Sequence, residues 1–442
     1  MEDFIKVGYA RAIITPDDPV PLAGYGNGKT RISEEVRDDL MITCIAFSDS
    51  DNNTVLMYTS DMISAAMPMC LEARKILNGK LGVPEDHIML ASTHSHSSVD
   101  WGEVGFDSVV KFREKFLDAM VETGIQAYED LSPAITYVNT VQTERMNFIR
   151  HYKVADGTFT GDNFGNGAPG IIDHTTANDP WIQLIRFVRP GAPKDILLMN
   201  WQAHPCMTSG IDKHVLSADY VGEIRKYVET NTGLRFAFFL GAAGNHNTRS
   251  NRPHEMRTSD VAEYGRIMGE YVMRGLANMR QIPGGKVVVT KRNMELPLDH
   301  TDDHLVPQCE VIRKHWLETY DRPACNKMAQ EIGLNSIYAV TSVIHRSTQP
   351  EKENMLIRAF RVGQIGFACA PYEMFCASGQ YIKENSPCAM TFVASCCNGA
   401  YSYLATRRAF NHGCYEVDTR RYPKGTAELL AENFVEMLDE TY

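Results

Sequence analysis

Apolar residues in this chain fall into short buried runs, punctuated by polar turns and interleaved with longer stretches at helical spacing. The runs at 5–14, 40–48 and 54–60 read as strands, the last ending in Asp61. A helix over 68–81 follows, and then Ile88-Met89-Leu90-Ala91, a short buried strand. Strand, helix, strand in that order predicts a crossover unit. The pattern continues with a helix over 109–129, strands over 134–142, 181–188 and 195–201, and a helix from 216 to 230 with Ser217 as cap. A strand over 236–240, a helix over 260–279, one or two strands within 286–296, strands over 355–365 and 366–370, and a closing helix over 424–438 complete it. Ala23-Gly24-Tyr25-Gly26-Asn27-Gly28 reads as a loop whose glycines let backbone approach a neighbour closely. The stretch 156–177, rich in Gly, Asp, Asn and Thr, reads as a loop over the active site. The charged segment 302–332 reads as a helical insertion or lid on a single domain spanning 1–442. The class this predicts is α/β, with layered mixed sheets flanked by helices.

Composition narrows the function. A chain of 442 residues with 44% hydrophobic and 22% charged positions is long enough for a large core. Its net charge of -11 argues against nucleic acid, which needs a positive field. No apolar run reaches the roughly 18 residues of a transmembrane helix. Met1-Glu2-Asp3-Phe4 is acidic and lacks the basic and apolar regions of a secretory signal, so a cytoplasmic location is expected. The 11 cysteines are odd in number and irregularly spaced, which suits reduced thiols. Cys396 and Cys397 are adjacent and would face opposite ways on a strand, so they read as core residues.

Four strand ends carry candidate chemistry. In Thr93-His94-Ser95-His96-Ser97, residues two apart project from one face, so His94 and His96 can enter one cavity as metal ligands. Hydrogen-bonded histidines in a polar turn are the alternative. Asp61 ends a neighbouring strand as a ligand, a partner to one, or by default a helix cap. Asn200-Trp201-Gln202-Ala203-His204-Pro205 again ends a buried run in a histidine. In Ala370-Pro371-Tyr372-Glu373-Met374 the carboxylate is either a ligand or a helix-start residue stabilised by the dipole.

Taken together these landmarks resemble the catalytic domain of the neutral (alkaline, non-lysosomal) ceramidase family. The others are Gly8-Tyr9-Ala10, Ile14-Thr15-Pro16, Ala23-Gly24-Tyr25-Gly26, Ser217-Ala218-Asp219, Gly244, Asn398-Gly399-Ala400-Tyr401-Ser402-Tyr403 and Tyr415-Glu416. The resemblance implies a neutral-ceramidase-like fold and one Zn2+ held by His94, His204, Glu373 and Tyr403. Read by itself, Tyr403 is a core aromatic. The family's turn Gly-Asp-Val-Ser-Pro, with its catalytic serine, is here Gly244-Asn245-His246-Asn247-Thr248, so Asn247 stands where the serine would be. The chain also stops near the end of the catalytic domain, without the family's C-terminal immunoglobulin-like domain.

The expected activity is therefore zinc-dependent hydrolysis of an amide (N-acyl) bond in a small or lipid-like substrate. A zinc esterase and an inactive relative that only binds its ligand are the alternatives. His96 would act as general base or acid, or orient the site; Arg150 would bind a substrate oxygen or carboxylate; Tyr415 would donate to an oxyanion. His246 would carry protons in place of the serine, or lie at the surface. An amidohydrolase barrel fits poorly, because its His-x-His pair lies near the start of the barrel. A closed structural zinc site would favour thiolates. Homo-oligomerisation stays open.

Overall fold

The computed structural model describes residues 4–26, 28–161, 170–252 and 254–442. Asn27 of the glycine loop, Met1 to Asp3, and 162–169 of the loop expected at 156–177 lie outside the described residues.

Strands with both faces apolar must be covered on both sides, and the layering follows from that. In strand Met41–Ser48, Ile45 and Phe47 point into a core shared with Val7, Met57, Phe360 and Phe367. Ile42, Cys44 and Ala46 point the other way, against Leu77, Phe112 and Phe116 of helices Met67–Leu81 and Asp107–Glu129. Full burial of such a side chain is worth about 1.5–3 kcal/mol. The first core joins a nine-stranded sheet to a four-stranded one, face to face. Helices Tyr220–Thr232 and Val261–Leu276 cover the rest of the larger sheet's outer face, and Cys376–Asn385 and Thr426–Asp439 cover the smaller sheet. The result is four layers, helix, sheet, sheet, helix.

Both sheets are mixed, and their parallel pairs are crossover units. Thr54–Ser60 and Ile88–Ser92 pair in parallel across helix Met67–Leu81, as the sequence pattern predicts. Ile196–Trp201 and Arg235–Leu240 pair across Tyr220–Thr232. Ile365–Cys369 and Met390–Ala394 pair across Cys376–Asn385. That last helix carries Gly379 and small polar residues, which give it a weak helical signal.

Several expectations change. The helix expected from 216 begins at Tyr220, and its cap is Asp219, whose carboxylate accepts from the Tyr220 N–H; Ser217 instead donates to Asp38. Asp61 caps no helix. It is buried, accepts from the Met41 N–H at 2.9 Å and pairs with Arg225 at 2.8 Å. The stretch 156–177 is not wholly loop, since Phe159–Gly161 and Ile171–His174 flank His151–Val154 as a three-stranded sheet. The strand expected at 355–365 is Lys352–Val362, which turns at Gly363 into Ile365–Cys369. The charged segment forms helices Val306–Thr319 and Arg322–Glu331, and a third helix, Ile337–Ser347, completes a small core with them. Among the described residues no disulfide joins any of the 11 cysteines. Among the described residues no helix is long and apolar enough to cross a membrane.

Candidate metal centre

In open α/β sheets, ligand-binding residues gather beyond the carboxyl ends of parallel strands. Each of the three crossover units delivers two such loops. The first supplies Asp61 and His94, the second His204 and the turn at 241–248, the third Glu373 and the loop to Tyr403. Glu373 and Tyr403 are then register partners in a short parallel ladder, with the Glu373 N–H donating to the Ser402 carbonyl at 3.0 Å.

These loops bring His94, His204 and Glu373 to one point. Oε2 of Glu373 lies 3.1 Å from Nε2 of His204 and 3.3 Å from Nε2 of His94. On the far side of each ring, Nδ1 meets carbonyls: Ile63 at 2.6 Å for His94, and Ala243 at 2.8 Å with His246 at 3.1 Å for His204. A carbonyl can only accept, so Nδ1 carries a proton in both rings, and both Nε2 atoms face a carboxylate. Three electron-rich atoms turned on one another need a positive charge between them, either protons or a metal ion. A ligating histidine almost always donates its other N–H to an acceptor, as these two do. The donor set of two imidazoles, a carboxylate and a neighbouring phenol suits zinc. His94 takes a left-handed backbone, with φ of +69°.

His96 differs. One of its ring nitrogens lies within 4.8 Å of ligand atoms of His94 and His204, yet among the described residues neither of its buried ring nitrogens has a partner. The ring packs edge-on to Tyr25 at 5.2 Å. Unlike His94 and His204, it has no carbonyl among the described residues to fix its tautomer, so either nitrogen can take or give a proton.

Charges reinforce this geometry. Burial opposes protonation of His94, but the Glu373 carboxylate outweighs it and holds the ring well above its usual pKa. Burial, helped by His94, pushes His96 well below, and burial with Arg150 nearby lowers His204. Burial would raise Glu373, but His94 and His204 hold it well below the ordinary carboxylate range. Burial, then Glu373, raises the Tyr403 hydroxyl far above its usual value.

The remaining expected residues line one side. Arg150 lies over the Tyr403 ring, 5.4 Å from its centre, and Tyr403 packs edge-on to Tyr415 at 6.0 Å. Asn247 bridges to His204 through the backbone, and its turn pairs with Phe148–Ile149. His246 is fully buried, not at the surface; its Nε2 accepts from the Asp179 N–H at 3.3 Å. Burial lowers it to about 4, which leaves it neutral near pH 7. Its carbonyl accepts from His204, so its backbone orients that ring. Sequence reasoning assigns no role to Glu416 or His151, although Glu416 pairs with both Arg150 and His151. Nor does it find Lys383, which pairs with Asp179 behind His246.

Two glycines show why the loops can close. A Cβ on Gly24, whose φ is +108°, would lie 2.6 Å from Nδ1 of His96, so the glycine loop's close neighbour is that ring. A Cβ on Gly244 would lie 2.8 Å from the Glu373 carbonyl and 2.9 Å from that of Met374. Those are backbone atoms and cannot swing aside. Gly244→Ala is therefore expected to cost about 1–3 kcal/mol and weaken metal binding, whereas Gly191→Ala, with nothing within 4 Å, changes neither. Urea unfolding and zinc titration check this; equal behaviour of the two variants would contradict it.

A largely apolar cleft of about 420 Å³ is lined by Ala177, Asn245, Phe375, Cys376, Tyr381 and other residues, and by none of His94, His96, His204, Glu373 and Tyr403. A more polar cleft of about 510 Å³ shares Thr176, Ala177 and Arg408 with it and includes Arg145 and Lys153.

No protein-family model matches the chain, and no curated protein matches it. Solved structures do. A neutral ceramidase from Pseudomonas aeruginosa aligns with 99% of this chain and 74% of its own, at TM-score 0.74 and 17% identity. A ceramidase complexed with C2 aligns with 99% of this chain and 75% of its own, at TM-score 0.72 and 16% identity. The fold is that of the neutral ceramidases, at strongly diverged sequence.

Proposed function

We propose that this chain is a zinc-dependent hydrolase of N-acyl amides, built as one domain over 1–442. The observation that carries the reading is the meeting of His94, His204 and Glu373 at one carboxylate oxygen, each ring anchored by a carbonyl behind it. His94, His204, Glu373 and Tyr403 would hold the ion. Zinc bound there supplies a water acidified to a pKa of about 7 and a Lewis acid for the substrate carbonyl.

The chain's own residues do the rest. His96, neutral and without a partner at either nitrogen among the described residues, takes a proton from the attacking water and returns it to the leaving nitrogen. Arg150, held by Glu416, presents fixed positive charge to a substrate oxygen. Tyr415 donates to the oxygen on which negative charge develops. The apolar cleft, which includes Phe375 two residues after Glu373, is of a size to take an acyl chain. The helical unit at 303–347 reaches this edge through Tyr338, which packs on Tyr415 at 5.2 Å, and serves as a cover.

The test is metal analysis joined to a substrate panel. Amides and esters of matched acyl chains are offered to the protein as purified, after chelation, and after zinc is restored. Amide cleavage should vanish on chelation and return with zinc. Cleavage of esters alone would make this an esterase. Metal binding without turnover of either panel would leave the binding-protein reading, which Asn247 beside His204 favours. Asn247→Ser then decides whether the missing hydroxyl is what limits amide cleavage. We expect a gain of about tenfold or more in rate; an unchanged rate would show that the serine is not needed here.

A further inference from the structure

A second cluster of metal-type donors lies across Glu416 from the first. Ligand atoms of His151, His412 and Cys414 all fall within 4.8 Å of one another. Two of them come from one tight segment, His412-Gly413-Cys414, where Gly413 takes φ of +66° and lets both side chains turn the same way. His151 arrives from the small three-stranded sheet, with its ring 5.9 Å from that of His412. Among the described residues the buried Nε2 of His412 has no hydrogen-bond partner, an expensive state for a buried acceptor unless something occupies it. Glu416 engages Nε2 of His151 at 2.7 Å, the carboxylate–histidine arrangement that orients a ligating imidazole and raises its basicity. A thiol with two imidazoles is a borderline-soft donor set, selective for zinc and similar ions over magnesium or calcium.

We propose that His151, His412 and Cys414 form a second site for a thiophilic divalent cation. On binding, Cys414 gives its proton to solvent and its sulfur bonds the metal; no oxidation occurs. Such an ion would lie beyond Glu416 from Arg150, so its charge would bear on the carboxylate that holds this arginine in the first site.

Cobalt tests this, because a cobalt–thiolate bond gives a near-ultraviolet charge-transfer band that imidazole and carboxylate ligands do not. The full chain, freed of metal and titrated with Co2+, should take up about two ions and show the band. Cys414→Ser and His412→Ala should each fall to about one ion and lose the band, while His94→Ala falls to about one ion and keeps it. His412 is partly exposed, so His412→Ala decides the matter should Cys414→Ser fail to fold. Absence of the band in the wild type would overturn the proposal. So would a band that survives Cys414→Ser, which would place it at another thiol such as Cys396, 3.6 Å from Nδ1 of His94, or one that survives His412→Ala unchanged together with two bound ions, which would leave His412 out of the site.

Discussion

His94→Ala is expected to empty the first site and reduce hydrolysis to background, whereas His96→Ala keeps the metal and loses about 10²- to 10⁴-fold in kcat/KM. The two histidines are two residues apart on one loop, and their rings pack 5.2 Å apart. Proximity cannot separate their roles; orientation can. His94 donates through Nδ1 to Ile63 and presents Nε2 to Glu373. Removing it takes away one donor and one of the two groups that hold Glu373 as an anion. His96 has no such anchor, so its removal takes away a proton carrier and leaves the ligands in place. Zinc stoichiometry by mass spectrometry, measured in a Cys414→Ser background so that only the first site is counted, and kcat/KM on the best amide substrate check both arms. If His96→Ala lost its zinc while His94→Ala retained it, the assignment would be reversed. If both retained zinc and full activity, the metal mechanism would fail.

How far the sequence carries this site depends on where each group's partner lies. His94, His204 and Glu373 each end a buried apolar run, so strand periodicity with residue type suffices to pick them out. The first crossover unit is legible for the same reason. Tyr403 is different, because its meaning rests on a two-residue ladder with Glu373, too short for periodicity to reveal. Glu416 is invisible as a site residue, since its partners Arg150 and His151 are more than 260 positions away. Asp61 misleads in the opposite sense. A strand-end aspartate before a helix is ordinarily a cap, yet long-range pairing with Arg225 takes it instead. Ser217 loses its predicted cap position to Asp219 because Asp38 claims its hydroxyl. Local chemistry proposes each of these roles, and tertiary partners decide them.

Glu416→Gln is expected to destabilise the protein by about 3–5 kcal/mol at pH 7, the cost of leaving a buried charge without its partner. Glu416 is fully buried, and its two oxygens are both engaged. Oε1 accepts from Nε of Arg150 at 2.7 Å and lies 2.5 Å from Nη2, while Oε2 meets Nε2 of His151 at 2.7 Å. Glutamine preserves the shape but removes the charge that compensates the equally buried Arg150. The pH dependence separates charge from packing. Burial would raise the Glu416 pKa, but Arg150 and then His151 outweigh it and hold the carboxyl far below the ordinary range. A depressed carboxylate contributes its stability in full above the unfolded-state pKa, about 4.3, and loses it as pH falls from there toward the folded-state value. The gap between wild type and Glu416→Gln in urea unfolding should therefore be flat from about pH 7 to 5 and narrow steadily below about pH 4. Other carboxylates titrate alike in both proteins and cancel in the difference. A gap that stays constant down to about pH 3 would mean that shape or hydrogen bonding, not charge, is what Glu416 supplies. Because Arg150 also lies over Tyr403, the variant should lose hydrolysis even at low urea where it remains folded; retained activity there would show that Arg150 needs no anchor.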